Sequence, residues 1–254
     1  MMNNADQAVY SQTFFLTAGE TDARGEMPVT LIVERMIEVA TNHANQLGIG
    51  FATLSPLGKA WVLLRVGLRM ERVPDINSYY TVSTWIESWN RLSSERCFCF
   101  TDYEGRVMGY ARTVWGTIDV ESRTIADLTY LAERATMCPD RACDVPRVRN
   151  HPALPDDRVR IIPYTFVYSD LDFNRHVNTV RYISHIIDCK PLSHYDEWRI
   201  GAFEIVFRNE CYAGQTVDLF VDDIDTEHTR VDYVRDGQRV ITSAITWVKD
   251  PMKL

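Results

Sequence analysis

Two stretches of this chain resemble each other, and that constrains its fold more than any other feature. Residues 15–38 align without gaps on residues 165–188. Further on, residues 69–72 align on 208–211, with Leu64, Val66 and Leu68 falling opposite Phe203, Ile205 and Phe207. Gly105 and the pair Val114-Trp115 then align on Gly237 and Thr246-Trp247. The offset shrinks from 150 to 139 to 132 residues, as expected of the same elements in the same order with shorter loops in the second copy. Three matches in register make the chain a duplicated domain.

Between the copies, five of the ten prolines fall within residues 139–163, a stretch without sustained periodicity that reads as an extended linker. The expected organisation is therefore an N-terminal domain over 1–138, a linker over 139–163 and a C-terminal domain over 164–254. At 254 residues and 46% hydrophobic content, the chain has material for two cores.

Each copy has one strong helix pattern followed by strands. Val29, Ile32, Val33, Met36, Ile37, Ala40, Ala44 and Leu47 recur at helical spacing, with Pro28 at the start and Gly48 just past the end. Val180, Ile183 and Ile187 repeat the pattern after Asn178. Val62, Leu64, Val66, Leu68 and Met70 alternate as a half-buried strand does. Residues 79–88, 94–102 and 107–119 read as antiparallel strands, the last two joined by Glu104-Gly105, and Asp236-Gly237 is the matching turn of the second copy. A long helix wrapped by an antiparallel sheet, present twice, is an α+β fold.

The 27 basic and 35 acidic side chains give a net charge of −8, so no global basic surface for nucleic acid exists. No apolar run is long enough for a membrane span. The first twenty residues show neither a secretory nor an organellar leader pattern, and the expectation is a cytoplasmic protein. The six cysteines have no C-x-x-C or zinc-finger spacing and read as reduced thiols, mostly small core hydrophobes.

The chemistry-bearing segment is Asp172-x-Asn174-x-His176, just before the second helix. Such residues at a helix mouth can cap it. They can also position water and move a proton beside backbone N–H groups that favour a developing anion. The first copy keeps the acid, Asp22, but has Arg24 and Glu26 in place of Asn174 and His176, which favours a site used once per chain. Glu210, in Arg208-Asn-Glu210-Cys211, sits at a strand end on the face opposite Phe203, Ile205 and Phe207. Its counterpart is Glu71, so a plain surface carboxylate is a competing reading.

This D-x-N-x-H segment, followed by R-x-E-C, resembles the acyl-acyl-carrier-protein thioesterases of plants and bacteria. Asn42-His43, Gly48-x-Gly50, Trp61-Val62 leading to Arg69-Met70, and Val114-Trp115 fit the same family in the first copy. The resemblance covers residues 8–250. It implies two hotdog domains in tandem and hydrolysis of fatty acyl-carrier-protein thioesters in fatty acid metabolism. It also implies a catalytic set of Asp172, Asn174, His176 and Glu210, an acyl pocket in the first domain, and no cofactor or metal. The partner implied is acyl carrier protein, and a homodimer stays open. Without a transit peptide pattern, the expectation is a bacterial member.

Glu210 and His176 are then expected to activate water, with Asn174 and backbone N–H groups holding the oxyanion and Asp172 orienting the cluster. Cys211 also matches a family position, but it falls in phase with the core face and is a poor nucleophile candidate. The alternatives are an acyl-CoA thioesterase, a hotdog enoyl-thioester hydratase and a non-catalytic acyl-binding hotdog. There is no G-x-S-x-G elbow. His176, His185 and His194 lack ligand spacing, and Gly48-x-Gly50 is no dinucleotide fingerprint. The helix face around Val39, Asn42 and His43 is a candidate acyl wall. Arg147, Arg149, Arg158, Arg160, Arg175 and Arg181 are candidates for meeting an acidic carrier.

Overall fold

The computed structural model describes residues 8–154 and 159–250. Arg158 lies outside the described residues. In the first half, β1 (Val9–Phe15) is followed by α1 (Val29–Gln46), the short turn α2 (Phe51–Leu54), β2 (Lys59–Met70), β3 (Tyr79–Trp89), β4 (Ser94–Asp102), β5 (Val107–Asp119) and the two-residue β6 (Ile125–Ala126). In the second, β7 (Arg160–Thr165) is followed by α3 (Thr179–Ile187), the turn α4 (Leu192–Tyr195), β8 (Trp198–Phe207), β9 (Thr216–Asp223), β10 (His228–Arg235) and β11 (Gln238–Lys249).

The first long helix begins and ends where the sequence places it, and the second begins after Asn178 as expected. Pro28 precedes α1, and Gly48 takes φ +68° beyond its end, a conformation that a side chain disfavours. Asn178 caps α3 by accepting a hydrogen bond from Val180 N at 3.1 Å. The hairpin turn at Asp236-Gly237 has positive φ at both residues, which matches the twist of β10 and β11.

The sheet runs β1-β3-β4-β5-β2-β8-β11-β10-β9-β7, with β6 beside β5. The first half supplies one side, the second half the other, and they join where β2 pairs antiparallel with β8, Leu68 opposite Phe203. The helices α1 and α3 pack on this sheet and touch each other. Their apolar stripes, including Val33, Met36, Ile183 and Ile186, share one core with Val66, Leu68, Phe203 and Ile205. Each such side chain contributes about 1.5–3 kcal/mol by leaving water. The arrangement is the tandem hotdog that the resemblance implies.

Two expectations need correction. A bulge between Leu63 and Arg65 shifts the phase of β2, so Leu63 packs on the core while Leu64 lies beside Gly116. Residues 160–163, expected in the linker, begin β7 instead. Pro163 is tolerated there because β7 is an edge strand paired only with β9.

The linker is also docked. Val145 and Val148 are buried, and Val148 lies so close to Gly67 that a Cβ there would come within 2.6 Å of it. Arginines on the sheet satisfy its carbonyls: Arg112 Nε donates to Val145 O at 3.0 Å, Arg65 Nη1 to Val148 O at 2.7 Å and Arg230 Nη2 to Pro152 O at 2.7 Å. These arginines lie on β5, β2 and β10, so the linker crosses from one half to the other.

Candidate active site

The loop before each helix is the same turn made twice. In the second half, Asp172 N donates to His176 O at 2.8 Å and Arg175 N to Asp172 O at 3.0 Å. Asp172 Oδ1 accepts from Asn174 N at 2.8 Å and from His176 N at 3.1 Å. In the first half, Asp22 Oδ1 accepts from Arg24 N at 2.9 Å and from Glu26 N at 3.2 Å. The residue needing positive φ is Gly25 in one copy and Arg175, at +64°, in the other. Asp172 therefore acts on the backbone of the loop that carries Asn174 and His176.

A second acid, not singled out from the sequence, braces the same loop. Asp170 is buried and accepts from Val167 N at 2.8 Å and Tyr164 OH at 2.9 Å, with His185 Nε2 at 3.3 Å. Burial works to raise its pKa, but the Val167 and Tyr164 hydrogen bonds and the His185 charge hold it below the usual value. Its counterpart, Glu20, accepts from Thr17 N and pairs with Arg35. The recurrence of the pair in both halves was the available signal for a structural brace.

His176 and Glu210 come together because the loop pairs with the segment after β8, through a bridge of His176 with Tyr212 and a bond from Val177 N to Cys211 O at 2.9 Å. His176 Nδ1 is 3.5 Å from Glu210 Oε1, and the two side chains are 21% and 36% exposed. Tyr212 packs edge-on against the imidazole, with ring centroids 5.1 Å apart, and its hydroxyl is 3.4 Å from Glu210 Oε2. Arg123, on the turn after β5 in the first half, forms an ion pair with Glu210. Burial lowers the His176 pKa below 6.5, the Arg123 charge lowers it further, and Asp172 opposes both. The imidazole is thus neutral at neutral pH. A neutral imidazole carries one N–H and one lone pair, so the tautomer with its proton on Nδ1 would leave Nε2 able to accept a proton.

Asn174 sits exposed at the mouth, and among the described residues its side-chain amide makes no hydrogen bond. The structure brings its backbone, not its amide, into the cluster. Cys211 is fully buried; its thiol pKa is raised by burial, and its backbone N–H donates to Tyr182 OH at 3.1 Å. A buried, protonated thiol is a poor nucleophile. Arg123 was missed because its partner is 87 positions away and no local pattern marks it. Among the described residues, no group of three His, Cys, Asp or Glu could hold a metal ion.

In the first half, under α1, lies a cavity of about 60 Å³ lined by Ala40, Thr41, Ala44, Ile49, Trp61, Trp89, Ser94, Arg96 and Trp115. The expected wall of Val39, Asn42 and His43 is displaced. Val39 and His43 are fully buried, and Asn42 donates to Gln12 Oε1. A larger cavity, about 300 Å³, opens beside the first-half copy of the loop, lined by Asp22, Arg24, Glu26 and Arg199 among others. Arg24 fills the place of Asn174 there and pairs with Glu26 and Asp250. This copy has the cavity but lacks the histidine–carboxylate pair.

The family model described as the acyl-ACP thioesterase N-terminal domain matches residues 7–130, and that of the C-terminal domain matches residues 155–249. The chloroplastic oleoyl-acyl carrier protein thioesterase 1 of Arabidopsis thaliana is 25% identical over 237 residues, covering 84% of this chain and 63% of that protein. The chain spans between about half and two thirds of the length of the curated relatives it matches. The crystal structure of an acyl-ACP thioesterase from Bacteroides thetaiotaomicron superposes with a TM-score of 0.87 at 28% identity, over 97% of this chain and 100% of that one. The 12:0-ACP thioesterase from Umbellularia californica superposes at 0.85 with 19% identity, over 96% and 98%, and shares the fold.

Proposed function

This chain belongs to the acyl-ACP thioesterase family, and from that premise we propose that it hydrolyses the thioester of a fatty acyl chain carried on acyl carrier protein. The observation that carries the reading is the neutral His176 beside Glu210, on a loop whose backbone Asp172 holds.

In this reading, Glu210 receives the Nδ1–H of His176, and Nε2 takes a proton from water. The water oxygen bonds to the thioester carbon and the carbonyl becomes an oxyanion. The exposed Asn174 amide turns in this reading to receive that charge, because the N–H groups of Asn174, His176 and Val180 are already given to Asp172 and Asn178. The C–S bond then breaks, and the proton on His176 passes to the departing thiolate. A thiol of pKa about 8.5 leaves without a strong acid. The 3.5 Å separation of His176 and Glu210 is of the kind that tightens when substrate is bound. Arg123 holds Glu210 in place, and Asp172 and Asp170 hold the loop. The tryptophan-lined cavity under α1 is the reading's acyl chamber.

The test is release of free thiol and free fatty acid from a panel of acyl-carrier-protein thioesters of graded chain length. Release from at least one member is expected. Binding of the panel without release would sink the hydrolase reading and leave an acyl-binding protein.

A further inference from the structure

Four of the six cysteines gather on the face of the first-half sheet turned away from the helices. On β4, Phe98 and Phe100 belong to the core shared with α1, so the alternation of the strand sends Cys97 and Cys99 to the opposite face, beside Trp85 of β3. Cys138 and Cys143, around the start of the linker, pack on that patch. The chain is tied down there. Cys138 N donates to Ile86 O at 2.8 Å, Cys143 Sγ to Ala111 O at 3.5 Å and Arg112 Nε to Val145 O at 3.0 Å.

Cys97 and Cys143 differ in access and in surroundings. Cys97 is fully buried, whereas Cys143 is only partly covered and has exposed residues, Ala142 and Asp144, on either side. The two thiols hydrogen-bond to each other, and Glu87 Oε1 lies 3.7 Å from Cys97 Sγ as a second acceptor. The other oxygen of Glu87 pairs with Arg112. The bond from Cys97, the Arg112 charge and the Val145 N–H hold the Cys143 thiol below its usual pKa, against burial. The same bond and burial push the Cys97 thiol up. An accessible thiol with an enlarged thiolate fraction, touching a buried thiol that has a carboxylate beside it, is equipped to attack a disulfide and then be resolved.

We propose that Cys143 is a modification site for small disulfides of the glutathione type, and that Cys97 resolves the adduct into a disulfide tying the linker to β4. The patch shares no residue with the His176–Glu210 pair, so the proposal goes beyond the thioesterase reading and does not rest on it. In the first step the Cys143 thiolate bonds to one sulfur of the small disulfide. The S–S bond of that molecule breaks, and its other half leaves as a thiolate that takes a proton from water. In the second step Cys97 gives its proton to Glu87 and bonds to Cys143 Sγ. The mixed disulfide breaks, and the second small thiolate leaves with the proton from Glu87. Two protein thiols are oxidised and one small disulfide is reduced to two thiols. The new bond closes residues 97–143 into a loop and anchors the segment that runs on to Val148 against Gly67. A cross-link of this kind stabilises by restricting the unfolded chain.

The experiment incubates reduced full-length protein with mixtures of reduced and oxidised glutathione of graded ratio, then quenches by alkylation. Chymotrypsin cuts after Phe98 and so separates Cys97 from Cys99 for mass spectrometry. Cys143 should be the first cysteine to react, passing through a glutathione adduct to a peptide that joins Cys97 to Cys143. The oxidised protein should melt about 4 °C or more above the reduced protein, and dithiothreitol should reverse the rise. Cys143→Ser should show neither cross-link nor rise. Cys97→Ala should stop at the glutathione adduct; if that variant does not fold, the cross-link map and Cys143→Ser still decide. An adduct that persists on Cys143 in the unmodified protein overturns the proposal. So does a cross-link from Cys143 to Cys99 or Cys138, or reaction of another cysteine before Cys143. A Cys97–Cys143 link without a rise in melting temperature overturns the tie between linker and sheet.

Discussion

Arg123, on the turn after β5, forms an ion pair with Glu210, three residues beyond the end of β8. The contact is possible because β2 and β8 pair at the seam and bring the two halves' strand ends side by side. The candidate site therefore takes its histidine and carboxylate from the second half and its fixing cation from the first.

Replacing Arg123 with Gln removes a charge that lowers the His176 pKa. The pKa should rise, and the acidic limb of the kcat/KM profile should move to higher pH. The effect is a loss of rate near pH 6 that largely recovers at alkaline pH. A limb that stays where it was would separate Arg123 from the titration of His176. Stability follows the same sign. The folded His176 pKa is below 6.5, so its contribution is present above 6.5 and is lost as pH falls through the lowered value.

Asp22 and Asp172 hold identical turns, so alanine at either should cost stability alike, about 1–3 kcal/mol for hydrogen bonds to a charged acceptor. Their kinetics should differ. Asp172→Ala should lower kcat by displacing His176, whereas Asp22→Ala should spare kcat and change KM modestly. Glu71→Gln should behave as Asp22→Ala does. Thermal melts with parallel kinetics separate the cases, and a kcat lost equally in both Asp variants would require an active site drawn across both copies.

Much of this was legible from sequence because it is local or repeated. The helix of Val29–Gln46 follows from apolar spacing with Pro28 and Gly48 as its limits, and the duplication exposes Asp172-x-Asn174-x-His176 as the copy that differs. What was not legible is set by tertiary pairing. The bulge at Leu63 depends on how β2 registers with β5. The docked linker depends on arginines that sit far away in sequence, and Arg123 acquires its role only at the seam. Pro163 looked like linker because an edge strand tolerates the residue that a central strand excludes.

Cys211→Ala should keep most activity. The thiol is fully buried and its pKa is raised, so it supplies packing beside Arg235 and not a nucleophile. Mass spectrometry of the stalled enzyme should show no acyl-cysteine. A covalent acyl-enzyme at Cys211 would replace the water mechanism.

An acidic carrier needs a local basic surface on this acidic chain. Arg147 is engaged by Glu95 and Glu87, and Arg160 donates to Cys189 O at 2.6 Å. Arg175 and Arg181 are exposed beside the active-site helix and are the better candidates. Charge reversal at these two positions should raise KM for carrier-linked substrate and flatten its salt dependence. A small acyl thioester without the carrier should respond to neither change. Equal salt sensitivity of both substrates would remove this surface from docking.

Hydrolysis by this chain depends most directly, in the proposed mechanism, on the pair His176 and Glu210. The decisive measurement is turnover of an acyl-carrier-protein thioester by His176→Ala and Glu210→Gln, with circular dichroism confirming that each is folded. Each variant should lose at least about tenfold to a hundredfold in kcat, the low end of general-base effects. Near-native turnover in either folded variant would contradict the mechanism and take that residue out of it.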